Sequence, residues 1–103
     1  MPKYLVEASY TREGVVGVLA KGGSSRRHAL AEMAAGLGGQ LECFYFDRDA
    51  NVISDAPDNE AAAAVAMTVN AAGGAVAKTT VLLTPEQVDA AAKRSIEYRP
   101  PGS

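Results

Sequence analysis

Residues 40–56 read QLECFYFDRDANVISDA, and this stretch decides the fold. Gln40 to Phe46 and Ala50 to Ala56 are both rich in apolar, aromatic or β-branched residues, the composition of strands. Only the polar segment Asp47-Arg48-Asp49 divides them, which leaves room for a tight turn and for nothing else. The two runs are therefore expected to pair as an antiparallel hairpin in the middle of the chain.

Helical patterns flank the hairpin on both sides. Upstream, Leu30, Met33, Ala34 and Leu37 form one apolar stripe at helical spacing, stopped by Gly38-Gly39. Ser24 or Ser25 is expected to cap that helix. A shorter helix precedes it, capped by Thr11 with Glu13 in its first turn, and runs through Val15, Val18 and Leu19 to Gly22-Gly23. The crossover is thus a broken helix. Before it, residues 4–10 (YLVEASY) alternate as a strand, with Tyr4, Val6, Ala8 and Tyr10 on one side.

Downstream of Pro57, Asp58 or Asn59 caps an Ala-rich helix that runs to about Ala72 and ends at Gly73-Gly74. Ala75 to Leu83 reads as a fourth strand. Thr84-Pro85-Glu86-Gln87 then gives a cap, a Pro at the first helical position and a Gln able to close a capping box. That last helix is expected to reach about Arg94, leaving residues 95–103 as a frayed tail. The order βαββαβ with a C-terminal helix is an α+β, ferredoxin-like domain over residues 1–94, with both helices on one face of an antiparallel sheet. The second face is left bare, and the strands carry large apolar residues on both sides. A second copy pairing sheet to sheet is the expected cover.

Composition points the same way. In 103 residues there is room for one hydrophobic core, yet there is no Trp and only two Phe, and Ala and Gly supply much of the small-residue content. Burial returns about 25 cal/mol per Å² against about 1 to 2 kcal/mol of backbone entropy per residue, so a thin core favours association. A net charge of −2 argues against a nucleic-acid partner, which would need clustered cations to neutralise phosphates. The single Cys43 excludes an intrachain disulfide and a cysteine-based zinc site, and fits a reducing, cytoplasmic setting. No apolar run approaches the roughly 20 residues that span a bilayer, so no membrane partner is expected. No cofactor is expected either.

The chain resembles the GYD domain family, a branch of the dimeric α/β-barrel superfamily. The likeness is carried by MPKYLVEASYTREGV at the start, GGSSRR at 22–27, LGGQLECFYF at 37–46, APDN at 56–59 and KTTVLLTPEQVDAA at 78–91. It implies a homodimer with sheets packed face to face, and it brings no general activity with it. The chain departs from the family at the motif that names it: Phe46 passes directly to Asp47-Arg48-Asp49, without the glycine. If that motif shapes a pocket in relatives, the pocket is expected to be altered or lost here.

Gly22 to Arg27 (GGSSRR) is the first candidate site, because glycines at a helix N-terminus expose backbone N–H groups and the two guanidiniums add charge-assisted bonds to an anion. Two arginines in a first turn oppose the helix dipole, which calls for a negative partner. On helical spacing Arg26 falls near the stripe of Leu30, Met33 and Leu37, and Arg27 on its flank. The plain alternative is that GGSS breaks the helix and both arginines form ordinary ion pairs. His28 lies opposite the stripe with Glu32 at i+4, a surface pair rather than a metal ligand. Tyr45 is placed on one strand face with Leu41 and Cys43, packing in the core or an interface.

Two functional readings follow. One is a homodimeric module binding a small anionic or amphipathic ligand between sheet and helices, with Ser25, Arg26, Arg27 and Tyr45 near it. The other is a cofactor-independent enzyme, monooxygenase- or isomerase-like, acting on a small hydrophobic substrate in the same cavity. The second rests on fold analogy alone.

Overall fold

The structure is a computed structural model and describes residues 1–103. The chain runs β1 (Lys3–Tyr10), α1 (Arg12–Lys21), α2 (Gly23–Gly36), β2 (Gln40–Phe46), β3 (Ala50–Asp55), α3 (Asn59–Ala72), β4 (Ala75–Leu82) and α4 (Pro85–Ala92). The four strands form one antiparallel sheet in the order β2-β3-β1-β4. This is the βαββαβ arrangement expected from the sequence, consistent with the ferredoxin-like motif. The strand and helix boundaries expected from the sequence are met to within a residue or two, the last helix ending at Ala92 rather than near Arg94.

The hairpin forms where the central stretch demands it. The Asp47 amide donates to the Asp49 carbonyl at 2.9 Å, and the Asp47 carboxylate accepts from the Asp49 amide. Polar residues at the turn thus satisfy the backbone that the ladder leaves open.

Three of the helix starts carry side-chain caps. Thr11 accepts from Gly14 at the head of α1, Asp58 from Ala61 at the head of α3, and Thr84 shares a full capping box with Gln87 at α4. The start of α2 differs from expectation: Gly22 is its N-cap, no side chain caps it, and Ser24 and Ser25 lie inside the first turn. The reason is that Gly22 sits at φ 85°, a conformation open to glycine, and reverses the chain in a single residue. The helix can then restart at Gly23, where a Cβ would lie 3.0 Å from the Phe46 ring.

Register fixes which residues face the helices. Tyr4, Val6 and Ala8 of β1 lie opposite Ser54, Val52 and Ala50 of β3, and Ala8 and Tyr10 lie opposite Ala77 and Ala75 of β4. This side is covered by α2, which stands over β2, and α3, which stands over β4. Three of the buried residues, Tyr4, Ala50 and Val52, lie on the central strands between them. Only Tyr4, Ala50, Val52, Ala62 and Ala75 are buried, and three of those five are alanines, so the core is as thin as the composition implies.

The other face carries Leu5, Ile53, Val76 and the edge residues Cys43 and Tyr45. Its charges answer one another: Lys3 bonds to Glu42 and, at 2.9 Å, to Asp55, and Glu7 lies directly opposite Lys78. Those hydrogen bonds to Glu42 and Asp55 hold the Lys3 ammonium above the usual lysine range.

One strand-face assignment is corrected. The register of β2 against β3 slips between Leu41 and Cys43, a bulge at Glu42. Leu41 therefore pairs with Ser54 on the helix side, whereas Cys43 and Tyr45 pair with Ile53 and Asn51 on the bare side. One extra residue in a period-two element reverses every side chain beyond it.

Candidate functional site

Between α2, α3 and the sheet lies a slot of about 120 Å³. Its floor is Tyr4, Val6, Ala8 and Tyr10 of β1 with Ala50 and Val52 of β3. Leu30 and Met33 of α2 with its C-cap Leu37 form one wall, and Ala62, Val65 and Val69 of α3 the other. Small floor residues are the local cause of the space: Ala8, Ala50, Ala75 and Ala77 stand side by side where larger side chains would fill it.

Of the 20 residues that line the slot 17 are hydrophobic, so the few polar groups decide its chemistry. Arg26 is the one cation among them. It lies on the exposed first turn of α2 and has no carboxylate within ion-pair distance. Asp55, the one acid in the lining, has its carboxylate held by Lys3 on the opposite side of the sheet. An uncompensated guanidinium at an apolar slot attracts an anion.

Ser54, whose hydroxyl donates to the Gln40 and Asp55 carbonyls, and two tyrosines complete the polar set. Tyr4 donates to the Asn59 Oδ1 at 2.6 Å, and burial raises its phenol above the ordinary tyrosine value. Burial pushes the Tyr10 phenol up as well, with the Arg26 charge acting in the opposite direction. Tyr10 also stacks on Phe46 at 6.3 Å, and Phe46 packs on Phe44 at 4.9 Å, so the Arg26 end of the slot is bordered by aromatic rings.

The residues singled out from the sequence are not all at one place. Arg26 lines the slot, in line with its position on the stripe of Leu30, Met33 and Leu37. Arg27 and Tyr45 line a separate open groove between α2 and the edge strand β2, together with Ser24 and His28. Ser25 is exposed and lines neither. His28 pairs with Glu32 at 2.8 Å on the surface, as its spacing indicates. Tyr10 is the slot residue that sequence reading passed over as a site. Its signal was present, since the alternation of β1 sets it on the same side as Tyr4, Val6 and Ala8.

No cluster of three or more His, Cys, Asp or Glu is placed to hold a metal ion. No helix is long and apolar enough to cross a membrane. Among known proteins, the family model described as GYD domain matches residues 4–92. No curated protein and no solved structure matches the chain.

Proposed function

This chain belongs to the GYD domain family, and from that premise we propose that it is a homodimeric binding module that holds a small amphipathic anion between sheet and helices. The observation that carries the reading is the unpaired Arg26 at an otherwise apolar slot. The apolar part of the ligand fills the space over Val6, Ala8 and Val52, and its acid group meets the Arg26 guanidinium. Ser25, on the same exposed turn, is near enough in sequence to add a hydroxyl, whereas Arg27 and Tyr45 belong to the outer groove.

A slot of about 120 Å³ takes a fragment close to benzene in size. Burying about six carbons at ~0.8 kcal/mol each, with a charge-assisted hydrogen bond of ~1.5 to 3 kcal/mol, offsets the ~4 kcal/mol or more lost on immobilising the ligand. Affinity for a bare fragment is accordingly weak, on the order of millimolar. Benzoate and hexanoate are the probes, with hexanol as the neutral comparison. In an NMR titration, Arg26→Ala is expected to weaken the carboxylates at least tenfold, leaving hexanol binding and the melting temperature unchanged. Equal binding of hexanoate by Arg26→Ala and the parent chain would sink the reading.

Binding is favoured over catalysis because no imidazole lines the slot and its one carboxylate is engaged by Lys3. Turnover of a small hydrophobic substrate, lost in Tyr10→Phe, would instead support the cofactor-independent enzyme.

The dimer part of the reading rests on the bare sheet face, where apolar Leu5 and Ile53 sit beside the ion-paired Lys3, Glu42 and Asp55. Burying it keeps Lys3, Glu42 and Asp55 paired and sets Glu7 beside Lys78 across the strands. Cys43, the only thiol, lies on this side and reports on it. Its alkylation by a maleimide is expected to be at least tenfold slower in concentrated protein than after dilution below the dimer dissociation constant. A rate independent of protein concentration across that transition counts against sheet-to-sheet pairing.

A further inference from the structure

The chain is more extended than its mass requires. Its radius of gyration is 16.7 Å, where about 13 Å is usual for a compact domain of this length. Its accessible surface is 7438 Å², where a folded monomer of 10.6 kDa exposes about 5,500 Å² by the usual mass scaling. The excess is about 2,000 Å² per chain.

One fully exposed segment contributes to that excess. Every residue from Leu83 to Ser103 is exposed, and α4 buries none of its residues. Yet the segment is neither polar nor featureless. Leu83, Val88, Ile96 and Tyr98 are apolar or aromatic and all are more than half exposed. A helix of eight residues also needs help to persist. Isolated helices shorter than about 12 to 15 residues are marginal in water, and a capping box contributes only about 1 kcal/mol toward that deficit. A packing surface has to supply the rest.

We propose that this arm, Leu83 to Tyr98, packs on a second copy of the chain, each copy lending its arm to the other. The area argues for that occupant. Removing about 2,000 Å² per chain brings the exposed surface back to the scaling for a compact protein, and it lies in the range buried by obligate homodimers rather than transient contacts. The arm leaves the sheet from the end of β4, beside Lys3, which sets it at the periphery of its own body and free to reach another. The proposal goes beyond the sheet pairing above and does not depend on the ligand.

Analytical ultracentrifugation of four proteins tests it: the parent chain, a chain ending at Leu83, the double variant Val88→Asp/Ile96→Asp, and Ile53→Asp on the bare sheet face. Both arm variants are expected to weaken dimerisation at least 100-fold while far-UV circular dichroism keeps the sheet signal. The double variant retains the whole chain, so the proposal stays testable where truncation prevents folding. Dimerisation of the double variant within about threefold of the parent overturns arm exchange, as does a parent chain that stays monomeric at every concentration. If Ile53→Asp alone dissociates, sheet pairing stands and the arm has no partner. If the arm variants alone dissociate, the arm holds the dimer and sheet pairing falls.

Discussion

Tyr4→Ala is expected to cost about 3 to 5 kcal/mol, the largest loss from any single side chain in this protein. Tyr4 is 2% exposed, and the other four buried residues are smaller: Val52 and the alanines Ala50, Ala62 and Ala75. Its ring is the one large group that the body encloses. It also joins two layers, since it stands on β1 and its hydroxyl reaches Asn59 at the first turn of α3. Deleting the ring extends the existing slot into the floor of the fold, where the neighbouring alanines have nothing with which to fill it. A domain of this length is stable by only about 5 to 15 kcal/mol, so the variant retains little margin. Urea denaturation at one fixed protein concentration measures the loss, because dissociation would otherwise contribute. Tyr4→Phe separates the two roles: it keeps the ring, removes the bond to Asn59, and is expected to lose only about 1 kcal/mol. A loss below about 1 kcal/mol for Tyr4→Ala would mean that the slot floor is not the core.

The elements were legible because each is marked locally. The short polar turn at 47–49, the capping residues Thr11, Asp58 and Thr84, and the glycine stops are features of neighbours in sequence, and the structure uses them all. The central hairpin and the crossovers on either side of it then leave few topologies to choose among. What depends on one residue more or less was not legible. The bulge at Glu42 leaves no mark in QLECFYF, yet it moves Tyr45 and Cys43 away from Leu41 and onto the bare face. Gly22 at positive φ is similar: the sequence marks a break, but not that one glycine makes it and that both serines fall inside the next helix.

The site was legible in part for the same reason. Arg26 follows from helical spacing, which α2 keeps over its 14 residues. Arg27, one position on, is turned by about 100° and so faces a different groove. The slot itself arises from where two helices stand over four strands. Only the run of alanines at positions 8, 50, 75 and 77 hints at it, and those residues meet only through the register of three separate strands.

Gly14→Ala is expected to destabilise the protein by about 2 to 3 kcal/mol, although alanine is the better helix former. Gly14 is in the first turn of α1, and a Cβ there would overlap the carbonyl oxygen of Gly74 and lie 3.0 Å from the Tyr10 ring. Neither neighbour is free to yield. The Thr11 amide donates to the Gly74 carbonyl at 3.0 Å, and the Thr11 hydroxyl donates to the Gly73 carbonyl at 2.8 Å, so the turn from α3 into β4 is fastened to the head of α1. Making room for the methyl group stretches these bonds or displaces Tyr10, and Tyr10 borders the Arg26 end of the slot. Weakened hexanoate binding should therefore accompany the loss of stability. Gly17, three residues on in the same helix, has nothing within 4 Å of where its Cβ would be. Gly17→Ala is expected to stabilise by about 0.5 to 1 kcal/mol through helix propensity alone. Thermal melts of the two variants should thus shift in opposite directions. A shift in the same direction would mean that α1 does not bear on the turn at Gly73-Gly74, and with it that the Tyr10 end of the slot is not held in place from outside the sheet.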